Sequence, residues 1–249
     1  MSETFKITYR FTLPDKEKIT FDLVFDTQTL ELQHQERKKP PLWTEMGHER
    51  CLNCKLDIAE YPHCPVAVNL APAIESFDRL MSFDKIMVEA ITPERRVVQK
   101  TSAQEGISSL MGLLIAGSSC PATHFFKPMA RFHLPFANKN ETMWRAAATY
   151  LLSRYFTPDG LQEGDMDLGG LVNIYNDVAL LNDAMVDRLR TATTKDSAVN
   201  ALVHLDVFAK FLTPPLEDTL NHIKPIFDPF LVNLKQSERS SAKEQGGDP

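Results

Sequence analysis

Between Lys6 and Phe25 apolar residues fall on alternate positions twice over. Ile7, Tyr9, Phe11 and Leu13 share one side of an extended run. After the turn Pro14-Asp15-Lys16-Glu17, Ile19, Phe21, Leu23 and Phe25 alternate again, with Thr20, Asp22 and Val24 opposite. A period of two suits a strand with one buried face and would scatter apolar groups around a helix. Two such runs joined by a short polar turn predict an antiparallel pair. Asp26-Thr27-Gln28 then turns into a short predicted strand, Thr29 to Leu32. Lys85 to Ile91 and Arg95 to Lys100, joined by Thr92-Pro93-Glu94, are predicted to complete the sheet.

Elsewhere the period is helical. From Asn69, apolar residues recur at three and four (Ala73, Ile74, Phe77, Leu80, Met81), with Pro72 assigned to a first turn, where its missing N–H costs nothing. Ser102 and Glu105 have capping-box spacing and open a helix to about Ala116, which Gly117 ends. Further helices are predicted from about Glu141 to Phe156 and from Leu168 to Leu189, and another after a cap in Thr193 to Asp196. Thr213-Pro214-Pro215 opens a last one, which Pro225 and Pro229 cut into short pieces before Leu234. The expected class is α+β: a small antiparallel N-terminal sheet followed by a helical C-terminal region, linked by a Cys-rich segment. The expected divisions are 1–101, 102–235 and a polar, disordered tail at 236–249. Whether the first two share one core is left open by the sequence.

With 43% apolar and 24% charged residues in 249, the chain supports an ordinary core and surface. A net charge of -6 argues against wrapping nucleic acid, and the one basic run, Arg37-Lys38-Lys39, is short. The N-terminus carries no apolar signal segment, and no stretch reaches the ~18 apolar residues of a membrane span. The expectation is a cytoplasmic protein without membrane or nucleic-acid partners. In that reducing setting four cysteines point to metal or redox chemistry rather than disulfides.

Three of the four lie within fourteen residues: Cys51-Leu52-Asn53-Cys54, then Cys64-Pro65. A two-residue spacer lets one turn aim both sulfurs at one ion, and Cys64 is the natural third ligand. The fourth is expected to be Cys120, in Ser118-Ser119-Cys120-Pro121, with His48 and His63 as alternates. Zinc is the simpler metal for four thiolates. An iron–sulfur cluster is the alternative, hinted at by proline after Cys64 and Cys120. A redox dithiol at Cys51 and Cys54, or thiols without any ligand, are the other readings.

A second stretch, Thr123 to Ala137, is dense in histidine, aromatic and basic residues. His124 and His133 are candidates for acid–base work or metal ligation, with Arg131 and Lys127 holding an anion. The competing reading is an aromatic connection between helices. No phosphate loop, His-Glu-x-x-His or Gly-x-Ser-x-Gly pattern occurs. The acidic group around Asp165 lacks the order of a calcium loop and reads as capping and solvation.

Taken together, Cys-Leu-Asn-Cys, His-Cys-Pro-Val-Ala, Ser-Ser-Cys-Pro and Lys-Pro-Met-Ala-Arg-Phe-His-Leu-Pro-Phe resemble a bacterial family of uncharacterised proteins, the DUF6901-type domain. The likeness covers nearly all but the tail and implies one coherent unit, with no activity to carry over. The expected function is a metal-binding module that binds or regulates a protein or small-ligand partner. A metal-assisted enzyme using His124, His133 and Arg131 is a further alternative.

Overall fold

The computed structural model describes residues 3–33, 39–193, 196–211 and 220–233. The two alternating runs form β1 (Thr4–Thr12) and β2 (Lys18–Asp26), paired antiparallel with Tyr9 opposite Phe21 and Ile7 opposite Leu23. β3 (Lys85–Ile91) adds to the other edge of β1, and β4 (Arg96–Ser102) pairs with β3, giving the order β2-β1-β3-β4. The inner face buries Ile7, Tyr9, Phe11, Phe25, Ile86 and Val88. On the outer face Glu89 receives both Arg10 and Arg96, at 3.0 and 2.7 Å. The antiparallel sheet followed by helices is the predicted α+β class.

Six helices are labelled here: α1 (Pro65–Phe77), α2 (Ala103–Ala116), α3 (Lys127–Arg131), α4 (Lys139–Tyr155), α5 (Gly169–Ala192) and α6 (Ser197–Phe211). The Ser102/Glu105 capping box forms as predicted, and Asn138 with Glu141 makes a second one before α4. Helix α2 is central: it packs on β3 and β4 and also meets α1 and α6. One core cluster runs from Ile7 in β1 to Leu202 in α6, so the strand and helical regions share it. Ser102 both ends β4 and caps α2, and no linker separates the two regions at residue 101. A smaller cluster joins α4 to α5 through Met143, Tyr150, Leu171 and Tyr175.

Two local expectations are corrected. Thr29–Leu32 is not a strand. The Asp26 carboxylate accepts the N–H groups of Gln28 and Thr29, Leu30 turns left-handed at φ 56°, and only Leu32 bridges back, to Phe25. Pro72 is not in a first turn but inside α1, which starts seven residues earlier at Pro65 behind Cys64. The sequence offered two prolines for one helix start, and the first fits because its N–H would have no partner there. The predicted tail at 236–249 and the Pro214-Pro215 helix start lie outside the described residues. No single described helix is long and apolar enough to cross a membrane.

Candidate metal centre

The cysteine loop is built from short hydrogen bonds. The N–H of Cys54 returns to the Cys51 carbonyl at 3.1 Å and closes the Cys-x-x-Cys turn. The Arg50 guanidinium donates to the Leu56 carbonyl at 2.6 Å. Asn53, between the two cysteines, donates through Nδ2 to the carbonyl and carboxylate of Asp177, tying the turn to α5. The strand-like pieces 44–46 and 62–64 run side by side: Cys64 N–H donates to Thr44 O and Met46 N–H to Pro62 O, both at 2.8 Å.

Cys64 and Cys120 share one local design. Each is the extended residue before a helical segment, at φ -67°, ψ 120° and φ -70°, ψ 124°, and each is followed by proline in the first turn. That geometry turns the next N–H groups towards the sulfur: those of Val66 and Ala67 favour a Cys64 thiolate and that of Ala122 a Cys120 thiolate, although neither thiol accepts a cap hydrogen bond. Donors at the start of a helix favour a thiolate. Pro65 and Pro121 therefore have a sufficient explanation in helix entry.

The tertiary fold brings Cys51, Cys54, Cys64 and Cys120 to the wall of one cavity of about 160 Å³, with Met46, Phe125, Asp177 and Leu181. All four are free thiols. Burial pushes Cys51 up to about 11, Cys64 and Cys54 add to the rise, and Arg188 opposes it. Burial likewise pushes Cys120 up to about 12, against the Ala122 N–H and with a contribution from the other three sulfurs. Cys64 is also raised, chiefly by burial. These sulfurs lie within electrostatic range of one another, and charging one resists charging the next. Among the described residues, no three Cys, His, Asp or Glu side chains stand at the spacing of a closed metal site.

Arg188 of α5 is 1% exposed. Its Nη1 donates at 2.8 Å to the carbonyls of both Trp43 and Glu45, and Nη2 reaches Met46 O at 3.4 Å. It thus anchors the segment that pairs with Cys64 and places a positive charge near two of the thiols. Neither alternate histidine lines the cavity. The Thr44 hydroxyl donates to Pro41 O, so His63 Nδ1–H must donate to Thr44, 2.8 Å away. The Thr191 hydroxyl likewise donates to Arg188 O and receives His48 Nε2–H at 2.9 Å.

The model of the domain of unknown function DUF6901 matches residues 7–228. The chain belongs to the DUF6901 family. No curated protein and no solved structure matches it. The family match takes in the sheet from Ile7 onward, the cysteine loop and all six labelled helices of this DUF6901 chain.

The second stretch is dispersed. His124 is exposed. Lys127 pairs with Glu31 at 2.8 Å, and Arg131 reaches Glu94 at 3.7 Å and covers the Phe5 ring. His133 instead turns inward: its Nε2 is 2.6 Å from Tyr9 Oη, which is 2.7 Å from Ser109 Oγ. Burial, aided by Arg145, holds His133 down to about 3, and burial raises Tyr9 far above the usual phenol range. Both are neutral across physiological pH.

Arg188 and Arg145 carry no motif that marks them in the sequence, and Tyr9 reads there only as part of the buried strand face. Arg188 did leave a trace, since it interrupts the apolar stripe of Leu181, Met185 and Leu189 on one helix.

Proposed function

We propose that this DUF6901 protein binds one metal ion, zinc, through Cys51, Cys54, Cys64 and Cys120, and acts as a cytoplasmic binding or regulatory module. One observation carries the reading: four thiols from three separate chain segments line a single small cavity. The chemistry of the set supports it. Soft thiolates suit zinc, and the donors at Val66, Ala67 and Ala122 would stabilise their charge. Four thiolates around a divalent cation leave a net negative charge, which the buried Arg188 guanidinium offsets. Burial keeps Cys51, Cys64 and Cys120 protonated, and a bound cation would displace those protons and draw the sulfurs together. The ion would clamp the loop to α1 and to the segment after α2. The partner of such a module would be a protein or a small ligand.

The test is metal analysis of the full chain purified under nitrogen. One zinc per chain in a colourless protein is expected, with Cys64→Ser and Cys120→Ser each losing most of it. A folded, metal-free preparation with four titratable thiols overturns the proposal. Iron with acid-labile sulfide would replace zinc by a cluster on the same four residues.

A further inference from the structure

A larger cavity, about 340 Å³, lies between α2, the 126–137 segment, α4, α5 and α6, and it is distinct from the cysteine cavity. Most of its wall is apolar, including Leu113, Phe126, Met129, Phe136, Val178 and Leu205. Phe136 is held left-handed at φ 58°, with its N–H donating to Ser109 Oγ at 3.1 Å. A bulky residue keeps that backbone only where its surroundings impose it. The charged groups are few: among the described residues Arg145 is the only Lys or Arg and Glu105 the only acid on the wall.

We propose that this cavity binds a small organic monocarboxylate with an apolar body, its carboxylate paired with Arg145. The Arg145 Nε is sealed from solvent without a hydrogen-bond partner. No described residue forms an ion pair with this guanidinium. The nearby groups do not neutralise it. Glu141, exposed and one turn away on α4, acts on it through its charge without forming an ion pair, and its Oε2 accepts the Asn138 N–H at 2.7 Å. Tyr175 and Tyr9 face it as neutral phenols, both raised by burial. His133, also beside it, is neutral. Glu105 bonds Thr101 and the Ser102 N–H and acts on His204 instead.

A largely desolvated guanidinium without an ion-pair partner among the described residues favours an anion, because few waters compete for it. One guanidinium matches one carboxylate in charge and in its paired donors. A phosphate dianion would call for a second cation, which the described wall lacks. Asn182 and Tyr175 add polar groups for orientation, and the apolar remainder accepts a hydrocarbon or aromatic body. This site does not depend on the cysteines.

The experiment is titration of the full-length protein, as purified, with hexanoate, benzoate, benzamide and inorganic phosphate, followed by calorimetry and ligand-observed NMR. Saturable binding of at least one carboxylate is expected, at least about tenfold tighter than benzamide or phosphate. Arg145→Met should abolish that preference. Gly112→Met should block the site sterically while leaving Arg145 in place; a Cβ there meets only the Leu205 side chain, at 3.6 Å. Three results overturn the proposal: no carboxylate binding up to millimolar concentration, equal binding of benzoate and benzamide, or a carboxylate signal unchanged in Gly112→Met. The last two hold even if Arg145→Met fails to fold.

Discussion

Tyr9 and His133, 124 residues apart in sequence, are joined by a 2.6 Å hydrogen bond that fastens the sheet to the segment after α3. The burial of His133 at that junction, beside Arg145, has a consequence for acid stability. His133 lies at about 3 in the fold against an ordinary 6.5. Its folded form therefore binds fewer protons than its unfolded form. The stability it contributes is complete above pH 6.5 and is lost as pH falls from 6.5 towards 3. Between pH 6.5 and pH 5 the loss is about 2 kcal/mol. In urea unfolding, His133→Gln should flatten the pH dependence by about that amount. Equal slopes in the two proteins would sink the assignment.

Arg188 offers a second test. Three carbonyls, those of Trp43, Glu45 and Met46, accept from it. Arg188→Ala would leave the Trp43 and Met46 carbonyls unpaired beside a cavity, while Glu45 O would keep the His48 N–H at 3.1 Å, at a cost of about 3 kcal/mol. Arg188→Lys should recover only part, because one ammonium lacks the planar fork of donors. Thermal melts of both variants measure this. A melting temperature for Arg188→Ala within error of the wild type would mean the loop is held by other contacts.

Helix α2 sits so close to the sheet that Gly106 has no room for a side chain. A Cβ there would stand 2.8 Å from Val88 Cγ2 and 3.0 Å from Ile86 Cδ1. Gly106→Ala gains about 1 kcal/mol of helix propensity but overpacks the interface by about 1–3 kcal/mol. A net destabilisation is expected, relieved when Val88→Ala is added. The informative quantity is the coupling in the double-mutant cycle, which should favour the pair. Strict additivity would show that the contact is not the cause.

Metal removal gives a fourth prediction. If zinc clamps the cysteine loop, a chelator should lower the melting temperature, and added zinc should restore it. The effect should disappear in Cys64→Ser. Leu52→Ala, at a side chain that is 92% exposed, should respond like the wild type. Chelation that leaves the wild-type melt unchanged would count against a structural ion.

Much of the fold was legible because its signals are local. The alternation of Ile7, Tyr9 and Phe11, the Ser102/Glu105 box and the helical repeats of α4 and α5 all lie within a few turns of chain. Those elements formed close to their predicted limits. Errors arose where two local signals competed. Pro65 and Pro72 both suit a helix start, and the Asp26 side chain diverted Thr29–Leu32 from the sheet into a turn.

The candidate sites divide in the same way. Residue chemistry and spacing alone picked out Cys51, Cys54, Cys64 and Cys120. Their approach to one cavity depends on α2 carrying Cys120 across the core, which no local pattern encodes. The sequence likewise presented His124, Arg131 and His133 as one cluster, while the fold sent the first two to the surface and only His133 inward. Arg145 looks like an ordinary helix-surface cation until packing seals its Nε from solvent. What the chain determined by itself is periodicity, capping and the supply of reactive groups. Which of those groups lose water and meet each other was decided by tertiary structure, because desolvation and long-range contact exist only once distant segments have packed.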